Sequence, residues 1–435
     1  MADARSHHSR ITAYPQPGRE INIRQLTWPA LLSAAVIGFA GRVSSVVDSR
    51  DFAAPPGVSI ELPALYIATS PLSRLLDTLT LLSNPQSVAL FVTVAAIVTA
   101  SLAARRNRST RPQWLRIVAG LISVILSIAA LEAIVVFAPR PMARLVVSDP
   151  DVVVVDFHTH TRASGDANQR FTAEDRRRWH RDGGFNIGYL SDHVRFAGAA
   201  EAERTNPVRA GDGVSELSAV EGRYHKIMST IMLGLTAADT ALLDRKGQLL
   251  PGVPASGRTP VTIIALPNRN LDSVTAESLD SLPHFAGLEL VDAAPRGLSQ
   301  LDREELKIRR LAAALRLMLV SSSNNHGYGR AVAAWNLIRI PGWRALPPDS
   351  VGRLIEQPFR ERSLNAVTIV KRLRPRNHGV AIVWTLPVAL WQMIGSLAAA
   401  ERIAWLVWIW GLWGAMRILR SGTVPPRIKP PPSHN

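Results

Sequence analysis

The run VVVVDFHTH sets His158 and His160 two residues apart at the end of an apolar stretch. In an extended chain alternate side chains share a face, so both imidazoles can reach one cation. Asp166 follows in TRASGD. A second apolar run, NIGYLSDH, ends in Asp192 and His193, and a third, LSAVEG, ends in Glu221. A last one leads into SSSNNHGYGR, with Asn324, Asn325, His326 and Arg330. A lone HxH pair carries little weight. Metal-ligand types recurring just past separate apolar runs carry more, because barrel enzymes gather their chemistry from several strand ends. A cation so held lowers the pKa of bound water and makes a hydrolytic nucleophile near neutral pH.

These residues need strands to carry them. The predicted strands are 152–157, 187–190, 217–220, 227–233, 261–266, 288–291 and 317–320. A helix over 172–181 is capped by Thr172, with Glu174 and Asp175 in its first turn. The stretch 301–319 reads as a helix feeding a short strand. Strand–helix alternation predicts a mainly parallel sheet, open or closed into a barrel. No internal repeat is visible.

The chain has 435 residues, with Lys+Arg 50 against Asp+Glu 34 and a formal charge of +16. Nearly all the positive charge is arginine, and the arginines mostly flank apolar runs. Membrane flanking explains that better than nucleic acid, which is not expected as a partner. Cysteine is absent, which excludes disulfides, thiolate zinc sites and a cysteine nucleophile. The segment 85–104 is uncharged, 117–138 carries only Glu132, and 379–400 is uncharged. Each is long enough for a bilayer core of about 20 helical residues. The run 403–416 is shorter and holds Trp405, Trp408, Trp410 and Trp413, as suits an interface. A run at 26–47 makes a further candidate span, and 62–82 reads as a helical loop or interfacial segment. The alternative for such runs is burial inside a large soluble protein. The expected organisation is a polar tail (1–25), an N-terminal transmembrane region (26–148), a central domain (149–346), a basic connector (347–378), a C-terminal transmembrane hairpin (379–419) and a disordered Pro-rich tail (420–435). The N-terminus is polar for too long to be an ordinary cleaved signal peptide.

DFHTHTRASGD, YLSDH, the isolated Glu221 and SNNHGYGR together resemble the successive motifs of the PHP family of metal-dependent phosphoesterases. The resemblance covers the central segment only, about 200 residues. It implies an α/β fold, a distorted (β/α)7-type PHP barrel flanked here by transmembrane α-helices. It also implies a site for one or two divalent cations such as Mn, Zn, Fe or Mg. Carried over residue by residue, His158, His160 and Glu221 would bind one metal, with Glu221 bridging to a second. Asp166, His193 and His326 would form another position. Asp192, Arg330 and Arg269 are the candidate catalytic side chains; the arginines would neutralise substrate oxygens, or else serve as ordinary surface or salt-bridged residues. The chain departs from the pattern at Leu266, where the family carries a histidine, and at Asn324, where it carries an aspartate. Asn324 can still offer a neutral oxygen. His225 is the nearest candidate for a further histidine, with an ordinary surface or core role as its alternative. His180 and His284 read as structural.

The expected protein is thus a multi-pass cell-membrane hydrolase acting on a small phosphoester. Its rivals are hydrolysis of a carboxylic or carbamic ester on the same fold, and a catalytically degenerate sensor or scaffold. A transporter is disfavoured, because Glu132 alone lies inside a long span. Arginines 105, 106, 108 and 111 favour a cytoplasmic loop between two spans, whereas KRLRPR before Gly379 favours a cytoplasmic domain end. Those signals conflict, so the domain's side stays open, as does the oligomeric state.

Overall fold

The computed structural model describes residues 23–104, 112–224, 228–265, 274–275, 277, 285–292, 302–374 and 379–421. Its strands are β1 (Val46–Asp48), β2 (Val58–Glu61), β3 (Arg144–Val147), β4 (Val152–Thr159), β5 (Ile187–Leu190), β6 (Ser215–Tyr224), β7 (Met228–Leu233), β8 (Val261–Ala265), β9 (Phe285–Asp292), β10 (Met318–Ser322), β11 (Ala334–Arg339) and β12 (Val367–Arg372). Ten of them form one sheet in the order β1-β12-β11-β4-β5-β6-β7-β8-β9-β10, and β2 pairs with β3.

Four consecutive valines start β4. β-Branched side chains suit the extended chain, and every residue of β4 after Val152 is buried. Both faces are covered, so the strand is apolar until it reaches Asp156 and His158. The sheet curls until β10 returns to β4. There Asn324 N donates to His158 O at 2.8 Å, and His160 N donates to Asn325 O at 3.2 Å. Asn336 of β11 completes the closure. Its amide accepts from Ser321 N at 2.7 Å and donates to Val155 O and Ser321 O at 2.9 and 2.8 Å. A side-chain amide with one acceptor and two donors here stands in for a stretch of strand ladder.

The sheet is mixed, which corrects the expectation of a mainly parallel one. β4-β5-β6 and β8-β9-β10 are parallel, whereas β6-β7-β8 and the β4-β11-β12-β1 side are antiparallel. The three residues between β6 and β7 leave no room for the crossover that parallel pairing needs. The sheet also outruns 149–346, drawing β1 and β12 from outside those bounds.

The helices are α1 (Ile23–Phe39), α2 (Ala64–Ala68), α3 (Ser70–Leu81), α4 (Asn84–Ala104), α5 (Gln113–Phe137), α6 (Ala173–Gly183), α7 (Ala197–Glu203), α8 (Asp302–Leu315), α9 (Pro348–Arg360), α10 (Thr385–Gly395) and α11 (Ala399–Ser421). α4 and α5, of 21 and 25 residues, are long and apolar enough to cross a membrane, and both are almost wholly uncovered by the rest of the chain. α1 stops at Phe39, short of the expected span over 26–47, because Val46 onward pairs with β12. α10 and α11 form a pair bent by 115°. The terminal tails 1–22 and 422–435 lie outside the described residues.

α6 shows how local sequence places the site. Thr172 and Asp175 form a reciprocal capping box at its start. Gly184, at φ 88°, ends it where a Cβ would meet the backbone of Leu145. Between these ends the wholly buried Arg176 clasps two loops. Its Nε donates to His160 O at 3.1 Å and its Nη1 to Asn325 Oδ1 at 3.0 Å, with Nη2 also on Asn325 O.

Candidate metal centre

The ligand residues meet at the carboxyl ends of β4, β5 and β6 and just past β10. His158 Nε2 lies 3.0 Å from His160 Nε2 and 3.2 Å from Glu221 Oε2. His160 Nε2 lies 3.3 Å from the same Glu221 oxygen and 3.0 Å from Asn324 Oδ1. Ligands about 2.0–2.1 Å from one cation stand about 3.0–3.4 Å apart in octahedral or tetrahedral arrangements. The observed edges fall in that range.

Proton bookkeeping at these rings leads to the same place. Ser164 Oγ donates to Asp192 Oδ1 at 3.1 Å and accepts from His193 N at 3.0 Å. Its remaining contact, 2.9 Å to His160 Nδ1, is therefore one it accepts, which leaves a lone pair on His160 Nε2. His158 Nδ1 lies 2.9 Å from Glu289 Oε1 and donates to it. Two Nε2 atoms, a Glu221 oxygen and the Asn324 carbonyl oxygen thus face one another. All four are acceptors, and a positive charge has to sit among them.

Without a cation, a proton takes that place. Burial opposes it, yet Glu289 and Glu221 hold the His158 imidazole well above its ordinary range. Burial, with His326 and His158 adding to it, pushes His160 well below its own. Burial likewise works against the Glu221 carboxylate, but His158 and His193 outweigh it and keep it well below the usual range. Burial lifts Glu289 to about 7, with His158 offsetting part of the rise.

A second group lies beside the first. His193 Nδ1 is 3.0 Å from Glu221 Oε2, and His193 Nε2 is 3.1 Å from Asp166 Oδ2. His326 Nε2 is 3.4 Å from that Asp166 oxygen, while its Nδ1 donates to Asn324 O at 2.9 Å. Two cation-sized groups result: His158, His160 and Glu221, and His160, His193 and His326. The first set contains the three residues the sequence grouped. In the second, His160 joins His193 and His326, with Asp166 close to both. Glu221 faces both groups, as a bridging carboxylate would. Gly222 follows it because a Cβ there would run into the Gly247 carbonyl.

Asn324 sits at φ 38°, a left-handed conformation that asparagine tolerates better than most residues, and this turns its side chain toward His160. Asp192 is buried, and its oxygens are taken by Thr161 N, Thr161 Oγ1 and Ser164 Oγ. It holds the loop that carries His160 in place and touches no ligand atom, so the catalytic expectation becomes a positioning one. Arg330 is a correction. Its guanidinium bonds Asp182 Oδ2 at 2.8 Å and Arg140 O at 3.0 Å, committed to the end of α6 instead of the cluster. Arg269, Leu266, His225 and His284 lie outside the described residues.

Sequence reading missed Glu289, Arg176, Asp156 and Glu216, the last two of which form an inner set with His180, read from sequence as structural. In that set His180 Nδ1 pairs with Glu216 at 2.8 Å and Nε2 with Asp156 at 3.3 Å, all wholly or almost wholly buried. An acid inside an apolar strand, as in GLELVD, was the available signal for Glu289, since such a carboxylate needs a buried partner.

No family model matches the chain, and no curated protein does. Among solved structures, an amidohydrolase from Chromobacterium violaceum, solved with bound sulfate and no metal, is similar to it at a TM-score of 0.27 and 14% identity, covering 50% of this chain and 97% of that one.

Proposed function

We propose that the chain is a membrane-anchored, metal-dependent hydrolase, and within that class a phosphoesterase. One observation carries the reading: ligand-type atoms of His158, His160, Glu221 and Asn324, brought from three separate strands, converge at cation spacing. Divalent cations bound there supply Lewis acidity and a water acidic enough to attack an ester near neutral pH. His158, His160, Glu221 and Asn324 would hold the inner cation. His193, His326 and Asp166 would hold the outer one, with Glu221 shared. The inner rings are sealed, whereas Asp166 and His193 retain about 58% and 34% side-chain exposure, so substrate approaches from their side. The phosphoester assignment rests on the order of motifs along the chain and on paired cation groups, which suit both the attacking and the leaving oxygen of a phosphate.

The test uses the full chain in detergent. Metal content is measured for the wild type and for His158→Ala/His160→Ala, and turnover of chromogenic phosphate and carboxylate esters is followed with Mn²⁺ or Zn²⁺. The expected result is bound metal in the wild type, most of it lost in the double variant, and phosphate-ester hydrolysis lost with it. Carboxylate-ester turnover alone would move the assignment to ester hydrolysis. Bound metal without turnover would favour a binding module, which the neutral Asn324 would suit. Equal metal content in both proteins would overturn the ligand assignment.

A further inference from the structure

A second charged feature lies at the β1 end of the sheet and shares no residue with the metal-ligand cluster. Lys371 of β12 places Nζ 2.8 and 2.9 Å from the two oxygens of Glu305 on α8. Arg309, one turn on, reaches the same carboxylate at 2.9 Å and Ser49 O at 2.6 Å. The next strand residue, Arg372, donates to Asp77 Oδ2 at 3.2 Å, and Arg140 pairs with the other oxygen of that Asp77. Two carboxylates thus serve four cations. Lys371, Arg372, Arg140, Glu305 and Asp77 are each less than one-tenth exposed. Arg372 Nη1 is buried without a hydrogen-bond partner. Uncompensated buried charge is costly, so this excess calls for an anion.

A cavity of about 310 Å³ opens against the Lys371–Glu305–Arg309 side of this set, with Arg50, Arg309, Lys371, Arg372 and Arg374 in its wall beside Phe52, while Asp77 and Arg140 lie outside that wall. Glu305 is the one carboxylate among the described residues that line it. Guanidinium forks beside an ammonium group match the geometry of phosphate oxygens. We infer that this cavity binds a phosphate oxyanion. It lies where β12 runs toward the apolar helix α10, whose Gln392 Nε2 donates to Arg374 O at 3.3 Å. A lipid headgroup and free phosphate share the required chemistry; the lipid source rests on the proposed membrane anchoring, whereas the site itself rests on neither that nor the metal centre.

The test again uses the full chain in detergent, stripped of metal by chelation and titrated with inorganic phosphate by calorimetry. Wild type and His158→Ala/His160→Ala should bind equally. Arg50→Gln/Arg309→Gln should bind at least about tenfold more weakly, with Arg309→Lys in between. Unchanged metal uptake by the arginine variants checks their fold. If the double variant fails that check, Arg50→Gln alone carries the test, because Arg50 is exposed. Phosphate binding lost with the two histidines would assign it to the metal centre and overturn the proposal. Binding unchanged by the arginine substitutions, or no binding by the wild type, would do the same. Competition by bicelles containing phosphatidic acid, and none by phosphatidylcholine alone, identifies a lipid headgroup; failure of both to compete identifies free phosphate.

Discussion

If a cation binds as proposed, Glu289 fixes which nitrogen of His158 would face it. Its carboxylate accepts from Nδ1, so Nε2 is left to ligate. Losing such a partner lowers metal affinity by about 10–100-fold in comparable sites. Glu289→Gln is therefore expected to weaken binding by at least about tenfold, near 1.4 kcal/mol, in a competition titration with a coloured chelator. An unaltered affinity would show that the ring is held by packing alone. A cation bound there would also have to displace the proton from His158, whose pKa is raised. The protonated form dominates below that raised value, so apparent affinity should climb with pH until the value is passed and then level off. A pH-independent affinity would remove His158 from the ligand set. The clustering of His158, His160, Glu221, His193 and His326 was legible because alternation in a strand and position after an apolar run are local properties. Glu289 was not, since only the curl of the sheet sets β9 across from β4. Asn324 reads from the sequence as a weak ligand, and its left-handed backbone adds the reason it reaches His160.

At the scale of elements, two wholly or almost wholly buried polar side chains hold the curl of the sheet over the site: Asn336 between β10 and β4, and Arg176 between two site loops. Asn336→Leu would keep the volume and remove the hydrogen bonds the Asn336 amide makes to Ser321 N, Ser321 O and Val155 O. At about 1–3 kcal/mol for each unsatisfied buried group, a loss of several kcal/mol is expected in denaturant unfolding, together with weaker metal binding as β10 parts from β4. Full stability would mean that the main-chain ladder alone holds the closure. Burial lowers the Arg176 guanidinium to about 10, still charged at neutral pH. The strands were legible from their valine, isoleucine and leucine runs. Their directions were not, because pairing depends on what fits between strands. Three residues between β6 and β7 force a reversal that the strand–helix reading overlooked.

For the whole molecule, the decisive question is which surfaces meet water. Val88, Val92, Ile97, Ile122, Ile125 and Leu126 on α4 and α5 are all more than half exposed. Large contiguous apolar surfaces on soluble monomers usually mark interaction or membrane faces, and each helix is long enough for a core of about 30 Å. The end of α5 is tied to the ligand-bearing segment: Gly329 N donates to Val136 O at 2.8 Å, and Phe137 packs edge-on against Tyr328 at 5.8 Å. On the proposed reading, the His158–Glu221 cluster would lie on whichever side α5 ends. If α5 crosses the bilayer, residues 105–111 lie on the opposite side, whichever of the conflicting arginine clusters sets the absolute orientation. The chain has no cysteine, so a single introduced thiol reports without background. Ser109→Cys and Val208→Cys, the latter at a position 84% exposed on the domain, are expected to react with a membrane-impermeant maleimide from opposite faces of sealed vesicles. Labelling of both from one face would mean that α5 does not cross, and the apolar pair would then need a protein partner to cover it.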